Sequence, residues 1–111
     1  MAFDATAILG SWKSDVEKGG FTLAVTETFE ADGAYALRGH VCDSSECIML
    51  DVKGLWSLLK GCLEVTITES NAPEFFEVGL GWSDKLVGVA DSSLSYVDGY
   101  DGEKYAKKRV A

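Results

Sequence analysis

Residues 21–41, FTLAVTETFEADGAYALRGHV, decide the fold. Phe21, Leu23, Val25, Glu27 and Phe29 fall on one side of a period-two repeat, with Thr22, Ala24, Thr26, Thr28 and Glu30 on the other. That is a strand with one buried face, and it carries a single acid, Glu27, on its apolar side. Asp32-Gly33 supplies the turn chemistry of a hairpin. Tyr35, Leu37 and Val41 then alternate with Ala36, Arg38 and His40 to give the returning strand.

The same period runs outward from this hairpin. In CIMLDVKGLWSLL, residues 47–59, Ile48, Leu50, Val52, Trp56 and Leu58 share one face, Met49 and Leu55 lie on the other, and Gly54 marks a bend or bulge. After Lys60-Gly61, Leu63, Val65 and Ile67 face one way and Glu64, Thr66 and Thr68 the other. The one proline, in Asn71-Ala72-Pro73, breaks the chain. Beyond it EFFEVGLGWS, KLVGVA, LSYV and KYAKKRV read as strands separated by Ser83-Asp84, DSS and DGYDG. No segment keeps a helical period over three turns, and only Phe3 to Ile8 has room for a short helical turn.

Eight to nine short strands joined by tight turns predict an all-β chain, a small antiparallel up-and-down β-barrel, whose closure removes the edges that a meander exposes. A sandwich with Greek-key crossings would need longer connections. The 111 residues fit one domain over positions 1–111.

Composition narrows the partners. A net charge of -8 leaves no basic face for phosphates, so neither nucleic acid nor an anionic membrane is an expected partner. The start, MAFDATAILG, has no basic region and an early Asp4, so it does not read as a secretory signal, and a cytoplasmic protein is expected. In that compartment Cys42, Cys47 and Cys62 stay thiols. The alternative is a bridge between Cys42 and Cys47, which flank the polar turn of VCDSSEC between two strands. With His40 the only histidine, no metal site is expected, and no cofactor.

Several short motifs spread along the chain point to a family. Gly10-Ser11-Trp12 opens the first strand, and a later strand ends in Phe29. Asp32-Gly33-Ala34-Tyr35 follows, then a second Gly-x-Trp at Gly54-Leu55-Trp56, and the last strand closes in Lys108-Arg109. Together they resemble the lipocalin-like small barrels of the calycin group. The resemblance implies that Trp12 plugs one barrel end and that Arg109 packs across its ring, a structural pair. A guanidinium over an indole gains roughly 0.5 to 2 kcal/mol, and its donors can serve loose carbonyls. The chain lacks the outer helix of true lipocalins. It also lacks the helical lid and the Arg-x-Tyr carboxylate clamp of the fatty-acid carriers, since Val110 and Ala111 follow Arg109.

Candidate lining residues for a ligand cavity are Phe21, Leu23, Phe29, Tyr35 and Leu37, with Phe76 and Trp82 from the later strands. An eight-stranded barrel is only just wide enough to be filled by side chains or to hold one small ligand, and so many large residues favour a filled interior. Glu27 has two readings. It is either the polar anchor of an apolar cavity or a strand-end acid returned to solvent by twist, and strand ends are where alternation most often breaks. His40 lies on the polar face, Asp98, Asp101 and Glu103 read as solvated turn acids, and no nucleophile motif or phosphate loop is present. The expectation is a non-catalytic barrel binding a small apolar or aromatic ligand at its mouth. The alternative is an interaction module or homodimer with a filled core, motivated by outward apolar residues at Met49, Leu55 and Phe75.

Overall fold

A computed structural model describes residues 4–110, and for Lys18 the main chain alone. Eight strands follow one another: β1 (Gly10–Lys18), β2 (Phe21–Phe29), β3 (Ala34–Cys42), β4 (Cys47–Leu59), β5 (Cys62–Ser70), β6 (Gly81–Val89), β7 (Ser93–Val97) and β8 (Lys104–Arg109). Each pairs antiparallel with the next, and β8 returns to β1, so the sheet closes into an up-and-down barrel. Of the helical turn expected over Phe3 to Ile8, Ala5–Ala7 form a 3-10 helix whose Thr6 N–H donates to the Asp4 carboxylate at 2.9 Å. Phe3 lies outside the described residues.

The alternation read in the sequence sets which face is inward. Val25, Glu27 and Phe29 of β2, Leu37 and Val41 of β3, Leu50 and Val52 of β4, and Leu63, Val65 and Ile67 of β5 are buried. A bulge interrupts the β4–β5 register between Lys53 and Gly54. Any side chain at Gly54 is excluded there, because a Cβ would fall 2.1 Å from the Thr66 carbonyl oxygen.

Connections alternate between two ends of the barrel. At one end Trp12 is fully buried and its indole N–H donates to the Ile8 carbonyl at 2.8 Å. The Arg109 guanidinium lies over the Trp12 ring, 4.2 Å from its centroid. It donates to the carbonyls of Ala7 at 2.9 Å, Leu9 at 2.7 Å and Asp91 at 2.7 Å. Gly10 makes room for this reach: its φ is +114°, and a Cβ there would stand 2.8 Å from Arg109 Nη1. The rings of Phe29, Tyr35 and Trp56 pack above the same end, with centroids 5.3 Å and 5.5 Å from Phe29. At the other end gather the β1–β2 and β3–β4 turns, residues 71–80, and the β7–β8 loop.

Two segments differ from their sequence reading. Glu74–Leu80, read as part of a strand, is a run of turns over the second end. Its adjacent Phe75 and Phe76 could not both face inward in a strand, whereas in a turn both pack toward the interior. Ser83-Asp84, read as a turn between two strands, lies inside β6, because Trp82, Asp84 and Leu86 keep the inward phase across it. The thiol expectation is also corrected. Cys42 and Cys47 stand directly opposite in the β3–β4 register, with Cα atoms 4.0 Å apart, and are joined by a disulfide. Cys62 is the free cysteine.

Candidate ligand cavity

Between the Trp12 end and the turns at the opposite end the interior is hollow, with a cavity of about 450 Å³. The expectation of a filled core fails for a geometrical reason: the largest side chains concentrate at the Trp12 end, and the upper barrel is walled by Val16, Leu23 and Val41, with Phe21, Phe75 and Phe76 near the rim. Phe75, expected to point outward, instead meets the Phe21 ring edge-on at 5.9 Å. Phe76 meets Trp82 at 6.1 Å, tying residues 71–80 to the wall. Asn71 anchors the start of that segment to β4, its side chain accepting from the Asp51 N–H at 2.8 Å and donating to the Met49 carbonyl at 3.0 Å.

The inner end of the cavity is polar. Glu27 is only 4% exposed, so the strand-end reading of this acid is corrected: β2 runs on past it to Phe29, and no twist returns it to water. A carboxylate so placed must be paired. Its Oε1 accepts from the ammonium of Lys107 on β8, itself 5% exposed, and its Oε2 accepts from the Tyr35 hydroxyl at 2.6 Å. Desolvation pulls the Lys107 ammonium down, but Glu27 first, then Tyr96 and Asp84, outweigh it and hold its pKa above the usual lysine value. Burial, and then the Glu27 charge beside it, push the Tyr35 phenol well above its usual range. The Lys107 ammonium also lies 4.5 Å from the centroid of the Tyr96 ring.

A second acid faces this group from β6. Asp84, 5% exposed, accepts the Gly99 N–H at 3.1 Å, and burial pushes its pKa up to about 6 against the pull of that N–H and of Lys107. Tyr96 beside them is raised by burial as well.

No family model matches the chain, and no curated protein matches it in sequence. Among solved structures it is similar to a lipocalin-like protein from Bacteroides uniformis, with 14% identity and a TM-score of 0.62 over 94% of this chain and 99% of that one. The fold is lipocalin-like.

Within this lipocalin-like barrel Phe21, Leu23, Glu27, Leu37, Phe76 and Trp82 line the cavity. Phe29 and Tyr35 do not; they form the packed layer beneath its inner end, from which Tyr35 reaches Glu27. His40 is exposed on the outer surface. Sequence reasoning missed Lys107, Asp84 and Tyr96. The signal was there for two of them: placing Arg109 across the inward Trp12 puts Lys107 on the inward face of the same strand, and Trp82 being inward does the same for Asp84.

Proposed function

We propose that this barrel is a binding protein for a small apolar or aromatic molecule, which passes between the turns of the open end and lodges in the hollow above Glu27 and Lys107. One observation carries the reading: an interior of about 450 Å³ with aromatic walls and a few converging polar groups at its inner end, the make-up of a small-molecule site. Catalysis and cofactors form no part of it, because Glu27 is engaged by Lys107 and Tyr35, and His40 lies on the outside.

Titration with the uncharged fluorophore N-phenyl-1-naphthylamine tests the reading. Saturable binding with one site is expected, and Leu23→Trp, which fills the hollow, is expected to abolish it. Failure of the native protein to bind, or binding untouched by the filled variant, would overturn the proposal. A second reading, self-association, draws on Met49 and Leu55, which lie 68% and 58% exposed on β4. Sedimentation of a monomer at high concentration would remove it.

A further inference from the structure

The charges inside the hollow do not cancel. Glu27 and Lys107 neutralise each other, and the second oxygen of Glu27 is held by Tyr35. Asp98, at the rim, accepts the N–H groups of Tyr100 at 2.7 Å and Asp101 at 3.2 Å from its own loop. Asp84 is different. Its carboxylate, which offers about four acceptor sites, takes a single main-chain N–H, from Gly99. Lys107 is paired with Glu27, and among the described residues no cation forms an ion pair with Asp84. The cavity wall therefore carries one unbalanced negative charge at Asp84, in surroundings where an unpaired carboxylate is costly.

We propose that the ligand is an aromatic or aliphatic amine whose protonated nitrogen sits on the Asp84 carboxylate, with its apolar body in the aromatic upper cavity. This rests on the ligand-binding reading above and names the head group. An ammonium brings three donors to an acceptor that has most of its capacity left, and it balances the charge of Asp84, Glu27 and Lys107 together. The rings of Trp82, Tyr96 and Tyr105 line the same space and favour a cation over an anion. A ligand carboxylate would instead add a second negative charge beside Asp84 and Glu27. The overall charge of -8 acts in the same direction on approach.

The groups that face Asp84 are Glu27 from β2, Tyr35 from β3, Tyr96 from β7, Lys107 from β8, and Asp98 and Gly99 from the β7–β8 loop. Burial brings Asp84 up to about 6, so it is ionised at pH 7.5 and mostly neutral at pH 5.

Calorimetric titration with phenylbutylamine, phenylbutanol and phenylpentanoate, which share one apolar body and differ in head group, tests the inference at pH 7.5. The amine is expected to bind about tenfold or more tightly than the alcohol, and the carboxylate weakest. Asp84→Asn, whose side chain can still accept from Gly99, should bring the amine down to the level of the alcohol. In the native protein, lowering the pH to 5 should weaken the amine by about tenfold and spare the alcohol. Equal binding of all three, tighter binding of the carboxylate, an amine preference that survives Asp84→Asn, or amine binding as tight at pH 5 as at pH 7.5 would overturn the amine inference and leave the binding reading intact. If none of the three binds, the amine inference fails, and the naphthylamine fluorophore then decides whether the binding reading falls with it.

Discussion

A carboxylate whose pKa is raised by burial holds its proton more tightly in the folded chain than in the unfolded one, so its contribution to stability falls as pH rises between the two values. For Asp84 that window runs from the ordinary 3.8 to about 6. Above it the ionised group costs the fold on the order of 1–2 kcal/mol, after allowing for water in the cavity. Asp84→Asn is therefore expected to raise the urea midpoint at pH 7.5 and to flatten the decline in stability between pH 4 and pH 6; an unchanged profile would refute the assignment. The pair Glu27–Lys107 is a different kind of residue-scale device. Its two charges satisfy each other, so its desolvation is offset in place, and neither residue has a surplus to offer a ligand. In the sequence Glu27 was visible as an anomaly of the period. Its partner Lys107, 80 positions away on a strand rich in basic residues, could be placed inward only by way of the Trp12–Arg109 pair.

At the scale of elements, period two located β2 to β5 and set their inward faces, because those strands have one wet face and one dry one. It failed after Pro73 for a physical reason. There the chain leaves the sheet to cover the open end, and a covering segment buries residues by position and not by alternation, so Phe75 and Phe76 mimic a strand. The reverse error hid β6: Ser83-Asp84 has turn chemistry, but the barrel interior is polar at that height and accepts an acid. The β3–β4 hairpin carries its own staple at the rim. Closing so short a loop with Cys42–Cys47 contributes about 2 kcal/mol by the chain-entropy argument. Thiol titration of the denatured protein should count one thiol, from Cys62, and three after reduction, with a lower urea midpoint for the reduced form. Three thiols without reductant would show the staple to be absent and would fit the cytoplasmic setting expected from the start of the chain.

The whole molecule is joined at one seam. β1 meets β8 through Trp12 opposite Arg109 and Lys13 opposite Lys108, a shorter ladder than any other in the barrel. The guanidinium reinforces it by holding three carbonyls, those of Ala7, Leu9 and Asp91. A lysine ammonium has no planar fork to span them, so Arg109→Lys is expected to cost about 1–3 kcal/mol, read as a lower urea midpoint with an unchanged slope. No loss of stability would mean that the stack and its hydrogen bonds do not hold the seam. The motif GSW was legible as a plug, but the need for Gly10 was not, because it arises from a side chain 99 positions later (109 minus 10). That separation has a consequence for how the protein is made. Pairing of the first strand with the last is the most non-local of the strand pairings in the barrel, and contacts of that kind slow folding. During synthesis β1 emerges early and waits for β8, so until residues 104–109 arrive one edge of the sheet stays bare and able to pair with any extended chain nearby.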